Sequence, residues 1–264
     1  FLSEKKQCNV DIVEIDSISG AEAQKYARRA WIGSEDGDIE KYHWINNETQ
    51  YDYIVFADVL EHLLHPEEAL KRCGGVLKST GRILVSLPNI SHNSIIIELL
   101  NDRFNYTPIG LLDNTHFKFF TRQSFLQMAE QTGWAVVGEK AKYVRVGENE
   151  IKNSYQDVPK EIFKYLVNRD SGNAYQYLFT LAHSSEYLMG NCERTVLLDA
   201  ESHYLLRVQY ESDGAYSYKK ESSIHVNPYS GFIEVTLSIP DNTSSALINL
   251  LNCCCIIQDL EIQV

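Results

Sequence analysis

Residues Tyr51 to Pro66 read YDYIVFADVLEHLLHP, and this stretch decides the fold. Tyr53 to Ala57 (YIVFA) is a continuous apolar run behind the Tyr51-Asp52 pair. Such a run predicts a buried strand covered on both faces, as in a parallel sheet. Asp58 follows at once, then Val59-Leu60-Glu61-His62-Leu63. His65-Pro66-Glu67-Glu68 then sets Pro at a first helical position with acids in the first turn, which predicts a helix start. That helix is expected to fade at Gly74-Gly75.

The same alternation extends in both directions. Upstream, Asn9 to Ile15 (NVDIVEI) reads as a buried strand and Gly20 to Ala30 (GAEAQKYARRA) as a helix. Downstream, Ser79-Thr80-Gly81 reads as a turn, and Arg82 to Leu87 (RILVSL) as a strand stopped by Pro88. Thr121 is placed to cap a helix through Phe125, Leu126 and Met128 that closes near Gly133. Trp134 to Val137 begins another strand, with Tyr143 to Val146 continuing it after a kink. Glu148 to Gly172 is polar and weakly helical, and Tyr175 to Ala182 (YQYLFTLA) is again a strand. Strands alternating with helices imply parallel β-α-β units in an open, doubly wound α/β sheet.

After Ser184 the pattern changes. Thr195 to Leu198, Tyr204 to Tyr210, Ser223 to Val226, Phe232 to Ile239, Ala246 to Leu250 and Cys254 to Val264 read as strands. Turn signals at Ser212-Asp213-Gly214, Asn227-Pro228 and Pro240-Asp241-Asn242 separate them. The expected organisation is an α/β domain over 1–184 and a small all-β, sandwich-like domain over 185–264.

Composition narrows the partners. The 264 residues carry a formal net charge of −12 with no basic stripe, which argues against a nucleic-acid partner. No apolar run is long enough to span a bilayer, and FLSEKKQC lacks the apolar core of a signal peptide. A cytoplasmic location is expected. Of the six cysteines (Cys8, Cys73, Cys192 and Cys253 to Cys255), none has C-x-x-C spacing, so no metal or redox site is expected among them.

In a doubly wound sheet, ligands bind beyond the carboxyl ends of the strands. Glu14-Ile15 at the end of the first strand can offer a carboxylate to ribose hydroxyls, and Asp38 in Gly37-Asp38-Ile39-Glu40 can accept from an adenine amino group. A solvated acid at a strand end and an acid-rich solubilising loop explain the same residues. Three histidines, His62, His92 and His116, fall just past strand ends or in the loops expected above the sheet. Each suits general-base work near neutral pH, and each also suits a plain structural hydrogen bond. His116 is favoured because the aromatic run Phe117, Phe119, Phe120 can wall a pocket, with His92 next. His62 is expected to hold its own loop. Arg103 and Tyr106, between Pro88 and His116, read as a lid or as a helix and loop packed at the sheet edge.

Tyr51 to Pro66 resembles the fourth strand and following loop of class I S-adenosylmethionine (SAM) dependent methyltransferases, whose versions read like FDxVxxxxVLEHLxxP. Gly81 to Asn89 (GRILVSLPN) resembles the family's next strand. Asp113-Asn114-Thr115-His116-Phe117-Lys118-Phe119-Phe120-Thr121 resembles the D-x-T-H-x-x-F-F-T element of a bacterial subgroup associated with glycan biosynthesis. Three motifs in the right order make the resemblance specific. It implies a Rossmann-like sheet and SAM as cofactor. Glu14 and Ile15 would lie at the ribose, Asp38 and Ile39 at the adenine, and Ala57 and Asp58 along the methionine part. It further implies O-methylation of a saccharide or glycolipid acceptor in surface-glycan synthesis. The alternatives are a small hydroxylated metabolite as acceptor, or a non-catalytic sugar-binding scaffold.

One element of the family pattern is absent. The first strand and its D-x-G-C-G-x-G loop have no counterpart, and Phe1 to Lys6 resembles the tail of the helix after that loop. The sheet is therefore expected to be N-terminally incomplete, with unpaired backbone groups beside the gap. Residues upstream of Phe1 are expected in the natural protein. In the β module, Tyr204, Tyr210, Tyr216, Tyr218 and Tyr229 suit stacking on sugar rings, or simple strand packing. A homodimer or glycosyltransferase contact through this module is the corresponding partner expectation.

Overall fold

The computed structural model describes residues 2–45, 49–169, 171–188, 195–196, 204–212, 215–226 and 245–251. A short helix α1 (Leu2–Lys6) precedes strand β1 (Asp11–Glu14). Helix α2 (Ser17–Ala23) then starts on an Asp16 cap, which accepts from the Ser19 N–H at 2.7 Å. The helix expected to reach Ala30 stops at Ala23, and a single 3-10 turn ends at Tyr26. Arg29–Ile32 is instead a strand, β2, running parallel to β1 with Asp11 opposite Arg29 and Glu14 opposite Ile32. Asp11 anchors the chain beyond that stop. Its carboxylate receives both Arg28 and Arg29, at 2.7 and 3.0 Å, and fixes them at the mouth of the pair. The one-turn helix α3 (Gly33–Asp36) follows.

The main sheet is built from β3 (Tyr51–Ala57), β4 (Leu77–Pro88), β5 (Trp134–Tyr143) and β6 (Ala174–His183), in the order β3-β4-β6-β5, with the two-residue β7 (Thr195–Val196) beyond β5. β3 and β4 are parallel, but β6 runs antiparallel to β4, so the sheet is mixed rather than all parallel. The turn expected at Ser79-Thr80-Gly81 lies inside β4. Between Tyr51↔Leu77 and Tyr53↔Arg82 the register advances two residues on β3 and five on β4. The chain therefore bulges there without reversing. Gly81 is tucked in so tightly that an added Cβ would lie 2.7 Å from Leu77 Cγ.

Helices α4 (Pro66–Cys73) and α6 (Arg122–Gln131) cover one face of this sheet. α4 begins at Pro66 with Glu67 and Glu68 in its first turn, and α6 begins on Thr121, both as the sequence predicts; Ser124 returns the cap to make a reciprocal capping box. Beneath them Phe56, Ile83, Val85, Phe179 and Leu181 are buried; Phe125 stacks on Phe179 at 4.4 Å, and the Trp134 indole donates to the Leu70 carbonyl. The opposite face is open: Tyr53 and Val55 are 63% and 53% exposed, beside Leu84 and Leu178. β3 is thus covered on one face, not on both. It has no strand partner on its other edge among the described residues, and neither does β1 on its edge away from β2.

The residues divide into two compact units. The first comprises Phe1–Ile90, Tyr106–Lys142 and Tyr175–Leu197; the second comprises Ser91–Asn105, Tyr143–Ala174 and Leu198–Val264. In the second, α5 (Asn93–Leu100) and α7 (Lys160–Val167) pack through Ile97, Val158 and Leu166, with Tyr155 and Phe163 against them. Asn93 ties this packing with bonds to the Tyr155 hydroxyl and the Leu166 carbonyl, both at 2.9 Å. Arg103 pairs with Glu98 on the same helix hairpin at 2.8 Å.

A last short helix, α8 (Ser184–Leu188), follows β6. Beyond it, β8 (Tyr204–Ser212), β9 (Ala215–Val226) and β10 (Ser245–Leu251) form one antiparallel sheet in the order β10-β8-β9. Three strands read from sequence are present there, and β9 begins earlier than expected. Thr195–Val196 pairs with Gly138–Glu139 of β5, so the α/β sheet takes a strand from beyond residue 184. The strands expected at 232–239 and 254–264, the Cys192 and Cys253 to Cys255 thiols, and Tyr229 lie outside the described residues.

Candidate active site

At the end of β1 the Glu14 carboxylate accepts from the Asp16 N–H at 2.9 Å, and Ile15 is 59% exposed. The loop after β2 presses onto this strand end. A Cβ on Gly37 would stand 2.1 Å from the Glu14 carbonyl oxygen, so only glycine fits. Asp38 is thereby set beside Glu14. Its side chain accepts from the Glu40 N–H at 3.0 Å and starts the 3-10 turn Ile39–Lys41.

Glu40 is a residue that sequence reasoning missed. Its carboxylate accepts from the Leu64 and His65 backbone N–H groups at 3.0 and 2.7 Å, clamping the loop after β2 to the loop after β3. Four acids in six residues gave no signal to single it out from a solubilising cluster.

At the end of β3, Ala57 and Asp58 are exposed, and Asp58 has a left-handed backbone with φ of 53°. The neighbouring strands hold it there. The Asp58 N–H donates to Ser86 Oγ on β4 at 3.0 Å, and Ser86 Oγ donates back to the Asp58 carboxylate at 3.0 Å. Gln176 of β6 donates to the same carboxylate oxygen at 2.6 Å.

The 3-10 turn Leu60–His62 comes next, and the segment 113–118 closes on it. The Phe117 and Lys118 N–H groups both donate to the Glu61 carbonyl, at 2.9 and 3.0 Å. His62 and His116 are brought edge to face, with centroids 4.8 Å apart. His62 Nδ1 lies 3.2 Å from both the Thr115 carbonyl and the Thr115 hydroxyl. That hydroxyl donates to Asp113 at 2.6 Å, so His62 Nδ1 must itself carry a proton. His116 Nδ1 is buried without a hydrogen-bond partner. Burial, then the neighbouring His62, hold the His116 pKa below its usual value. Of the aromatic run, Phe119 packs on His116 at 6.1 Å, Phe120 turns into the core against Phe125, and Phe117 is exposed.

Glu61 is the other residue the sequence did not flag. It is 1% exposed, and neither carboxylate oxygen has a partner. Burial pushes its pKa up to about 8, with the charges of Asp58 and Asp113 adding to the effect.

His92 is elsewhere, in the second unit. It is fully buried as the N-cap of α5: Nδ1 accepts from the Ser94 N–H at 3.1 Å and Nε2 donates to the Val144 carbonyl at 2.8 Å. Both ring nitrogens are engaged, so neither is placed to take a proton from a substrate. Arg103 is held by Glu98 in the same unit.

A family model described as a methyltransferase domain matches residues 1–139, more than half of the chain. The chain belongs to this methyltransferase family. SAM is the cofactor that goes with it, on the Rossmann-like sheet just described. The protein is also similar to solved structures. A SAM-dependent methyltransferase from Archaeoglobus fulgidus shares 16% identity over 67% of this chain and 86% of that one, with a TM-score of 0.42. One from Clostridium acetobutylicum shares 12% over 67% and 75%, with a TM-score of 0.40. An O-methyltransferase of neocarzinostatin biosynthesis, solved with S-adenosyl-L-homocysteine and 1,4-dihydroxy-2-naphthoic acid, shares 14% over 69% and 44%, with a TM-score of 0.38. No curated protein matches the methyltransferase. Among the described residues no helix is long and apolar enough to cross a membrane.

Proposed function

We propose that this methyltransferase transfers the methyl group of SAM to a hydroxyl of a saccharide or glycolipid acceptor, in bacterial surface-glycan synthesis in the cytoplasm. The observation that carries the reading is the edge-to-face pair of His62 and His116, joined to the Asp58 turn through the 3-10 turn Leu60–His62. SAM supplies an activated methyl group on a sulfonium leaving group. The chain must hold it, align the acceptor oxygen in line with the methyl group, and exclude water.

The residues fit that task. Glu14 has carboxylate capacity beyond its single bond to Asp16 and sits where ribose hydroxyls would be held. Asp38 and Ile39, pressed beside it, would flank the adenine. Ala57 and Asp58, exposed at the end of β3, would line the methionine part. His116, packed edge to face on His62, would orient the acceptor hydroxyl or take its proton, and His62 Nδ1, bonded to the Thr115 carbonyl, holds the residue just before His116.

The test is methyl transfer from labelled SAM by the full chain to a panel of sugars, glycolipids and small phenols. Label on a sugar hydroxyl is expected. Label confined to phenols would replace the acceptor assignment with a small hydroxylated metabolite. No heat on titration with S-adenosylhomocysteine would favour a sugar-binding scaffold without catalysis. We further propose the β8–β10 sheet as a homodimer contact or as a docking face for a glycosyltransferase. Sedimentation of the purified protein with and without such an enzyme checks this.

A further inference from the structure

We propose that Glu61, His62 and His116 form a binding site for a divalent first-row transition-metal cation. One donor atom from each lies within 4.8 Å of the others. Bonds of about 2.1 Å to a tetrahedral ion set ligand atoms about 3.4 Å apart, so closing on one ion needs the donor atoms to draw together by up to about 1.4 Å.

Three independent features point to a cation. First, Glu61 is buried at 1% exposure with both carboxylate oxygens unpartnered, a costly arrangement that a folded protein keeps for a reason. Second, the histidine nitrogens are prepared as ligands. The Thr115 carbonyl can only accept, so His62 donates from Nδ1 and Nε2 is the nitrogen left to meet an ion. His116 makes its hydrogen bond to the Leu111 backbone, and its buried Nδ1 has no partner. An imidazole held at one nitrogen by a carbonyl and bare at the other is the arrangement in which metal-bound histidines are fixed. Third, two further carboxylates, Asp58 and Asp113, lie on the two segments that supply the ligands, so the surroundings favour an added positive charge. Asp113 itself is bound by the Thr115 N–H and hydroxyl, and through Thr115 it braces His62.

The donor set selects the ion. Two imidazoles and one carboxylate with open positions suit Zn²⁺, Fe²⁺, Co²⁺ or Mn²⁺, whereas Mg²⁺ and Ca²⁺ prefer all-oxygen sites. Reading the cysteines for C-x-x-C spacing does not address a site assembled from a dipeptide and a histidine more than fifty residues away. With an ion bound both His116 nitrogens are engaged, so the ion in place of the ring would meet the acceptor hydroxyl; that use rests on the O-methylation reading, and the ion site itself does not.

The experiment is titration of the metal-free full chain with Co²⁺, followed by visible absorption and by calorimetry with Zn²⁺, in the absence of SAM and acceptor. One ion per chain is expected, with a Co²⁺ ligand-field band. Glu61→Gln, His62→Ala and His116→Ala should each weaken binding about tenfold or more. His43→Ala, at an exposed histidine paired with Asp36, should not. Circular dichroism of each variant separates lost binding from lost folding, and the near-isosteric Glu61→Gln keeps the test usable if a histidine variant misfolds. No ion bound by the wild type, or wild-type affinity in folded Glu61→Gln and His116→Ala, would overturn the site. Binding of S-adenosylhomocysteine is measured separately, so failure of the metal site and failure of the methyltransferase reading give different results.

Discussion

The Tyr51 hydroxyl donates to the Asp11 carboxylate at 2.9 Å, joining the first residue of β3 to the first residue of β1 across two sheets that share no backbone pairing. Arg28 and Arg29 complete the carboxylate's partners, and the Asp11 side chain is 3% exposed. Burial opposes its charge, but the hydrogen bonds from Arg28, Tyr51 and Arg29 outweigh that and hold its pKa below the usual range. Burial and the bond to Asp11 push the Tyr51 hydroxyl up to about 12. Tyr51→Phe removes one neutral donor and should cost about 1 kcal/mol. Asp11→Ala leaves two arginines and a phenol without their acceptor and should cost about 2–4 kcal/mol. Urea unfolding of the two variants checks the order.

His92 supplies a pH dependence. Burial lowers its pKa below 6.5, outweighing the bond to Val144 that raises it. The unfolded chain therefore takes up a proton near pH 6.5 that the folded chain refuses. The stability tied to the neutral ring is complete above pH 6.5 and is lost as pH falls from there toward the depressed folded value. His92→Asn keeps a cap for Ser94 but cannot reach Val144, so it should cost about 1–3 kcal/mol at pH 7. Its stability should then fall less steeply than that of the wild type between pH 6.5 and 5. Denaturant melts across that range report both effects.

The elements that depend on local chemistry were legible in the sequence. Pro66 with its acids, the Thr121 cap, the Gly133 stop and the apolar runs of β1, β3, β4 and β6 all mark their elements within a few residues. What escaped depends on partners distant in the chain. β2 is a strand because Asp11 seizes Arg28 and Arg29 and because β1 offers an edge. The exposure of Tyr53 and Val55 is set by what lies over that face of the sheet, and YIVFA reads the same whether one face is covered or two. The candidate site divides the same way. Glu14, Asp38, Asp58 and His116 stand at strand ends and loops where a pattern can find them. Glu40 and Glu61 act through a clamp and a buried vacancy of bonds, which composition does not display.

The Glu40 clamp makes a prediction about ligand binding. Its carboxylate satisfies two backbone donors of the Leu64–His65 loop while its own loop carries Asp38. Glu40→Ala frees both loops at a partly exposed position, so global stability should change by under about 1 kcal/mol. The preorganisation of the Asp38 loop, where we propose the adenine sits, should suffer more. Affinity for S-adenosylhomocysteine is expected to fall about tenfold, corresponding to about 1.4 kcal/mol. Calorimetric titration beside a thermal melt separates the two, and an unchanged affinity would remove Glu40 from the cofactor site.

Asp58 allows backbone strain and side-chain bonding to be told apart. Its φ of 53° suits glycine and is tolerated by asparagine and aspartate, but it costs an alanine about 1 kcal/mol. Its carboxylate also receives Ser86 and Gln176. Asp58→Asn keeps the tolerated backbone and a carbonyl acceptor, so it should lose least stability. Asp58→Gly relaxes the backbone but strands both donors at a solvent-accessible position. Asp58→Ala suffers both losses and should be the least stable, by about 1–2 kcal/mol relative to the wild type. If the side chain only shapes the turn, cofactor affinity will follow this stability order. If it also lines the methionine part, Asp58→Gly and Asp58→Ala will weaken S-adenosylhomocysteine binding alike despite their different stabilities, because both lack the same oxygen.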